Sequence, residues 1–590
     1  MQANESIDCI VIGYNELDLG HYEGILRTTY GDDSEAYRDL RFSLVGLDGT
    51  RMTFVDLLSY VHRSAGREPL PNSGGDFRSC DIPNLAAAYL THYLRRRGFA
   101  ARYINLFQFE KEELVAYLAQ NPVCVAITTT FYVWNFPVYE MVSFIREHNP
   151  DVKIVVGGPL VANHDRNRPP AAAEPVSIIS AASTLGAPNS QPSGRTGAVM
   201  EASEEVAAAL SDLGADIYVI ESQGEATLTR LVAALKSGGR LDEIPNLAYE
   251  EDGKLLLTPR VEESNSLDEN AIDWRLLADH TLGPTLQTRT ARSCAFHCAF
   301  CAYPTRAGTL ALTSLEALER EFDSMAAGPV RNLVVIDDTF NVPLPRFKDI
   351  CRMLIRRKYG FQWFSYFRCS NSDEESIELM AESGCRGVFL GIESGSPTVL
   401  ANMKKVATVD AYYHGIEMLR RRGVLTFGSF IIGFPGETQS TVEETNTFLR
   451  TAGLDYYRTQ LWYCEPGTPI HHEKERYGIV GDGFRWRHAT MDSLQAMDHI
   501  DRIFLSVDSP LWLPQWSFDF WIIPYLLGRG ISLPQFREFM VVANKLLRLE
   551  IASLDPAQRA AAHERHLREL IARVRGWSAH TVATGWEQAS

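Results

Sequence analysis

Three cysteines fall within eight residues, Cys294-Ala-Phe-His-Cys298-Ala-Phe-Cys301, a C-x-x-x-C-x-x-C spacing. The extended stretch Leu286–Arg292 precedes them, so the cluster is expected on a loop just after a strand. Thiolates this close can wrap one metal centre. A structural zinc site takes four Cys or His ligands; His297 stands inside the loop, but no second C-x-x-C pair follows. Three thiolates would instead leave one iron of a [4Fe-4S] cube without a protein ligand. Such an open iron can bind an external ligand, which is a catalytic arrangement. The other seven cysteines are scattered singly, and ten in 590 residues are too sparse for a disulfide scaffold.

The composition narrows the setting. Hydrophobic residues make up 45% and charged residues 22%, as in ordinary globular chains. The net charge of −17 argues against nucleic acid or anionic membrane as a general partner. The start is polar and acidic, without the basic region and apolar core of a signal peptide. No window reaches about 18 uninterrupted apolar residues. The expectation is a soluble, cytoplasmic protein with no nucleic-acid or membrane partner.

Elements that could position the cluster alternate in type. Apolar runs at 7–12, 101–106, 123–128, 153–156 and 217–220 read as buried strands. Helical patterns at 85–97, 111–119, 137–148 and 226–236 separate them, and Gly98 is placed to end the first. This order predicts a parallel, doubly wound sheet. Residues 163–212, rich in Ala, Ser, Pro and Gly, read as a long, partly disordered surface excursion. Residues 246–260 read as a hairpin turning at Asp252-Gly253. A polar linker follows, then a second alternating region from about 285. The last hundred residues are helical and rich in aromatics, ending in a helix over 556–575.

With a phenylalanine directly before the last cysteine (Phe300), the cluster resembles the signature of radical S-adenosylmethionine (SAM) enzymes. Gly391-Ile-Glu393-Ser394-Gly395 and Gly433-Phe-Pro435-Gly436-Glu437-Thr438 resemble strand-end motifs of that family. The resemblance implies a (β/α)6 partial barrel, with Cys294, Cys298 and Cys301 holding a [4Fe-4S] cluster as catalytic and metal residues. It implies SAM contacts at Phe300, Glu393, Ser394, Gly433 and Pro435, with Arg368 facing the SAM carboxylate. The alternative for Arg368 is a structural ion pair. The family's glycine-glycine-glutamate motif is replaced by Asp337-Asp338-Thr339, which leaves the partner of the SAM amino group open.

The first third resembles the Rossmann-like cobalamin-binding domain that many radical SAM enzymes carry. Its strand ends place Tyr14, Asn15, Thr128, Thr129, Thr130, Gly157, Gly158, Gly224 and Glu225 as corrin contacts. A nucleotide- or flavin-binding domain is the alternative, although no G-x-G-x-x-G follows a strand. His21 precedes Gly24 in an H-x-x-G pattern like that of cobalt-ligating histidines. Asp18 stands one position too early for that motif, so His21 reads as a surface residue.

The fold class expected is therefore α/β. A cobalamin-binding domain over 1–260 (with the insertion at about 163–212) leads to a linker at 261–284, a radical SAM core at 285–480 and a helical C-terminal region at 481–590. The combination resembles cobalamin-dependent radical SAM methyltransferases. That implies [4Fe-4S], SAM and cobalamin (as methylcobalamin) as cofactors, and transfer of a methyl group to an unactivated phosphinate phosphorus or carbon centre. A small-molecule or peptide natural-product substrate and an electron donor such as flavodoxin or ferredoxin are implied with it. The opening IDCIVIGYNELD, the run PNSGGDFRSCDIPNLAAAYL and Trp486–Ser493 look like the P-methyltransferase family of phosphinothricin biosynthesis. Arg487, His488 and Tyr463 are candidate contacts to an anionic substrate, each with a structural role as the alternative. Rearrangement or cyclisation without net methylation is the second reading, and a cobalamin sensor the third.

Overall fold

The computed structural model describes residues 6–577 apart from 17–18, 48–49, 68–75, 79–80, 131–134, 165–198, 222, 264, 278–281 and 517–518. The chain divides into two compact units, Met1–Glu16 with Ala86–Ser266, and Leu17–Leu85 with Leu267–Ser590.

The first unit is built on an eight-stranded sheet. Strands Ala101–Leu106, Cys9–Tyr14, Cys124–Thr128, Lys153–Gly157 and Ile217–Val219 lie side by side in parallel. Covered by apolar clusters, these strands must be apolar almost throughout, and Cys9–Ile12 and Val125–Ile127 are buried. Strands Leu247–Glu251, Lys254–Leu257 and Met200–Glu201 extend the sheet antiparallel. The hairpin turns where expected, with left-handed Asp252 (φ 51) and Gly253 (φ 75). In chain order the parallel strands run second, first, third, fourth, fifth. The order therefore reverses between Cys9–Tyr14 and Cys124–Thr128, the point where doubly wound folds bind ligands.

Three expectations need revision here. Within the excursion expected at 163–212, residues 165–198 lie outside the described residues, but Glu204–Ser211 is a helix, capped by Ser203 accepting from Val206 N at 3.4 Å. The polar linker is not free-standing. Glu263 accepts Ala226 N–H at 2.9 Å and Thr227 N–H at 2.7 Å, and so caps the helix Glu225–Ser237, whose own N-cap Gly224 has no side chain. Farther on, Ile272 and Trp274 are buried in the second unit. Finally, residues 17–85 group with the second unit rather than with the sheet expected over 1–260. Their helix Phe54–Ser64 packs on Pro556–Arg575, and their hairpin Leu44–Leu47/Thr50–Thr53 packs on Leu533–Ile551. Arg67 Nε donates to Val574 O at 3.1 Å across this packing.

The second unit carries seven parallel strands: Thr285–Thr288, Asn332–Val335, Gln362–Phe367, Cys385–Glu393, Leu425–Ile432, Tyr456–Leu461 and the short Leu511–Trp512. The first six, with their helices, are the expected (β/α)6 arrangement; the seventh comes from the C-terminal region. Alternate residues face the helices, as Trp363 does against Phe340 and Phe347. Their neighbours face inward: Phe364 and Phe389 meet Phe520, which stacks on Phe427 at 5.7 Å. The aromatic C-terminal stretch thus supplies core. Helix starts follow local chemistry, as where Thr438 and Thr441 form a reciprocal capping box before Gln439–Thr451.

Candidate active site

Strand Thr285–Thr288 delivers the cysteine loop, and buried Asp337 fixes its exit. Its carboxylate accepts Thr290 N–H at 2.6 Å, Thr290 Oγ–H at 2.5 Å and Ala291 N–H at 3.1 Å. Backbone bonds then seat the loop: Ala299 N donates to Met403 O and accepts, through its carbonyl, from Ile470 N, both at 2.8 Å. Cys298 is buried, while Cys294 and Cys301 are partly open. Thr339 Oγ1 lies 3.6 Å from the Cys294 thiol.

Two cations border the loop. The Arg368 guanidinium lies 3.7 Å over the Phe296 ring and acts on Cys298. It donates to Ser370 Oγ at 3.1 Å and Val406 O at 2.8 Å, and its backbone N–H to Asn341 at 3.0 Å. Among the described residues it reaches no carboxylate, so the ion-pair alternative does not hold and its charge is uncompensated locally. Lys405 lies 5.7 Å over Phe300 and pairs at 2.8 Å with Glu393, both side chains nearly buried. Burial pushes the Cys298 thiol up against the pull of Lys405 and Arg368, and pushes Cys301 up to about 11, with the neighbouring thiols adding to it. Among the described residues no three Cys, His, Asp or Glu side chains converge on one metal ion. A four-iron cube presents its irons at separate corners, so its thiolates need not meet at a point. Three thiols beside two cations suit a cluster whose ligand shell is anionic.

The expected SAM-side residues divide in two. Glu393 ends its strand at φ 68, beside a register shift, and Gly391 leaves it room: a Cβ there would lie 2.6 Å from Glu393 Oε1. Phe300 meets Phe434 edge-on at 6.5 Å. Ser394 holds the turn, with Oγ 3.1 Å from both Thr445 Oγ1 and Ser396 N. Gly433 (φ 90) packs under Trp486, where a Cβ would come within 2.4 Å. Its N–H is held by Glu437, whose acid burial pushes up to about 8, and Pro435 O accepts from Asn402 at 3.2 Å. His488 closes the same turn, Nε2 3.1 Å from Gly433 O and its ring stacked on Trp486. Arg487 and Tyr463 face outward. His297 is exposed, and His21 lies on the exposed face of helix Leu19–Tyr30 in the second unit. Asp18 lies outside the described residues.

In the first unit, Thr129 Oγ donates to Gly157 O at 2.9 Å and accepts Leu160 N–H at 3.2 Å. Thr128 Oγ donates to Ile12 O at 3.2 Å. Asn15 donates to Pro137 O at 2.7 Å and to Glu140 at 3.1 Å, and Glu225 accepts from Asn265 at 2.9 Å. Gly158 (φ 109) lies against Thr129, and Gly224 against Val219; a Cβ on either would meet an atom at 2.8 Å. Tyr14 is half-buried and Thr130 exposed at the same strand ends.

The fold and the site together define a radical SAM domain preceded by a B12-binding domain. Residues 288–449 match the Radical SAM superfamily, and residues 78–176 match the B12 binding domain family. The chain is 28% identical over 332 residues to an uncharacterized methyltransferase of Pyrococcus horikoshii, spanning 53% of this chain and 69% of that one. An anaerobic magnesium-protoporphyrin IX monomethyl ester cyclase of Rubrivivax gelatinosus is 24% identical, over 69% of this chain and 68% of its own. A tryptophan 2-C-methyltransferase of Streptomyces laurentii is 28% identical over 33% of this chain and 34% of its own. Among solved structures, the radical SAM methyltransferase TsrM of Kitasatospora setae, with tryptophan and a SAM analogue bound, superposes with TM-score 0.54 at 20% identity, covering 81% of this chain and 87% of its own. The cobalamin-dependent radical SAM enzyme OxsB, with aqua-cobalamin bound, gives 0.57 at 13% identity, covering 97% and 85%. The cofactors implied by the two domains are a [4Fe-4S] cluster, SAM and cobalamin. No helix among the described residues is long and apolar enough to cross a membrane.

Proposed function

We propose that this chain is a cobalamin-dependent radical SAM methyltransferase that methylates an unactivated phosphinate phosphorus or carbon centre of a small-molecule or peptide natural product. The observation that carries this reading is the three-cysteine loop, bordered by Arg368 and Lys405, in one chain with a B12-binding domain. When bound, the cluster and SAM supply a hydrogen-abstracting radical, and the corrin supplies the methyl group. The chain's own residues bind and orient. Cys294, Cys298 and Cys301 hold the cluster. Arg368, fixed by Ser370, Asn341 and Val406, offers a guanidinium to a carboxylate. Asp338 is the candidate for the amino group, because Asp337 beside it is fully engaged with Thr290 and Ala291. Burial and the Asp337 charge push Asp338 up to about 7. In the first unit, Tyr14, Asn15, Thr128 to Thr130, Gly157, Gly158, Gly224 and Glu225 border the corrin face; Gly158 and Gly224 let the backbone pack closely on Thr129 and Val219 there. Reducing equivalents come from a flavodoxin or ferredoxin.

The cyclase relative, which spans 69% of this chain, favours a second reading: rearrangement or cyclisation without net methylation. Anaerobic reconstitution with iron, sulfide and hydroxocobalamin, followed by SAM and a strong reductant, separates the two. Both S-adenosylhomocysteine and 5′-deoxyadenosine are expected by mass spectrometry with a turned-over substrate, H-phosphinates being tested first. Deoxyadenosine alone would overturn methyl transfer in favour of rearrangement.

A further inference from the structure

The inner wall of the second unit holds a guanidinium that forms no ion pair among the described residues. Arg458 stands on strand Tyr456–Leu461, in register with inward-facing Ser429. Its terminal nitrogen donates to Gln460 Oε1 at 3.1 Å, but its buried Nε has no partner. Among the described residues no carboxylate comes within 4.0 Å of it. Two stand nearby and dominate its electrostatic surroundings, Asp519 first and Asp39 next, followed by Tyr366. Asp39 comes from helix Glu35–Arg41 and lies near the backbone amide of Leu461. Ion pairs of Arg38 with Asp501 (2.8 Å) and of Arg41 with Asp501 (3.0 Å) hold that helix in place. Asp519 accepts Trp521 N–H at 3.0 Å. The wall beside them is aromatic: Tyr366 lies 4.8 Å from both Phe389 and Trp521, and these two stack at 6.1 Å.

Arg458, Gln460, Tyr366, Phe389, Asp39 and Asp519 are each only half-buried although protein surrounds them, so they line an interior space rather than pack against one another. An enclosed guanidinium is ordinarily paired, because its desolvation is otherwise uncompensated. Its fork fits a carboxylate or phosphinate. Two carboxylates with lone pairs to spare fit an ammonium group. Burial pushes both acids up to about 6, with Arg458 pulling the other way, so near neutral pH both stay ionised.

We infer that this interior space is the substrate subsite, and that it selects an amino-acid-like zwitterion whose oxyanion meets Arg458, whose free amine meets Asp39 and Asp519, and whose side chain lies along Tyr366, Phe389 and Trp521. This rests on the reading of the barrel as the seat of the chemistry, and it deepens that reading to a substrate class.

The test uses the reconstituted full chain and calorimetric titration. The probes are the proteinogenic L-amino acids and 2-amino-4-(hydroxyphosphinyl)butanoate, each as the free acid, the N-acetyl derivative and the carboxamide. At least one free amino acid should bind. N-acetylation and amidation should each weaken its binding by about tenfold or more, the scale on which a site rejects a ligand that leaves its buried polar groups unpaired. Arg458→Gln should erase the preference for acid over amide. Asp519→Asn should erase the preference for amine over acetyl. Equal binding of the N-acetyl form to the unaltered protein, or binding of no probe, overturns the inference; this arm does not depend on a variant folding. Both SAM-derived products are assayed in the same samples. Head-group selectivity without S-adenosylhomocysteine would sink methyl transfer and leave the subsite standing. Products from N-acetylated probes alone would do the reverse.

Discussion

The two ligand edges of this molecule are prepared differently. At the cysteine loop, charge is held ready: buried Arg368 is fixed by Ser370 and Val406 yet reaches no carboxylate among the described residues, and Asp338 is exposed. At the strand ends of the first unit, the polar side chains already have partners: Thr128 and Thr129 bond carbonyls, and Asn15 bonds Pro137 and Glu140. Gly158 and Gly224 set the shape of that edge by letting the backbone pack directly against Thr129 and Val219, where any side chain would collide. A small, charged ligand calls for aimed charge. A large macrocycle calls for room and for backbone groups that approach closely.

The sharpest way to break this comparison is to remove the thiols. Replacing Cys294, Cys298 and Cys301 by Ala should abolish the iron–sulfur absorbance and all 5′-deoxyadenosine formation while hydroxocobalamin still binds. A triple variant that cleaves SAM would sink the assignment of the loop.

Legibility followed the same division. The cysteines, Phe300 and the two glycine-rich strand ends were readable because a short segment carries the whole feature. Strand and helix positions in the first unit came from period alone, and the helix at 556–575 was read to its ends. Ser394 and Pro435, expected at the cofactor, also bond within their own turns, which the motif alone did not reveal. Lys405, Asp39, Arg458 and Asp519 carried no local signal. Only packing brings Asp39 and Asp519 to Arg458, across more than one element, and the grouping of 17–85 with the second unit was hidden for the same reason.

The second prediction tests whether the Glu393–Lys405 pair is structural. Both side chains are nearly buried at 2.8 Å. Lys405→Met should cost about 3 kcal/mol, because it strands a buried carboxylate. Adding Glu393→Gln should recover part of that loss in denaturant unfolding. A single variant as stable as the parent would show that the pair contributes nothing.

On the other edge, Gly158→Ala forces a side chain to φ 109 with its Cβ 2.8 Å from Thr129 Oγ1. The expected cost is about 1–3 kcal/mol, with weaker corrinoid binding and an unchanged yield of 5′-deoxyadenosine per cluster. If SAM cleavage fell in step with corrinoid binding, the two edges would not be separable.

The effect expected at Glu437 vanishes in acid, and it shows how a motif residue can be conspicuous and yet hold its own loop. One carboxyl oxygen takes the Gly433 N–H, and the other is buried with no partner. Burial pushes the acid from 4.5 up to about 8, against the Gly433 and Phe434 amides. The folded protein therefore keeps a proton that the unfolded chain gives up. Stability from this site is present below the unfolded value and declines as pH rises towards the folded one. Glu437→Gln retains the acceptor without the proton equilibrium. The variant should match the parent near pH 4 and gain on it by about 3 kcal/mol by pH 7, read as the difference in unfolding midpoints. A difference that does not change with pH would mean the carboxyl is ionised in the fold, and that it takes part in ligand binding rather than in the turn.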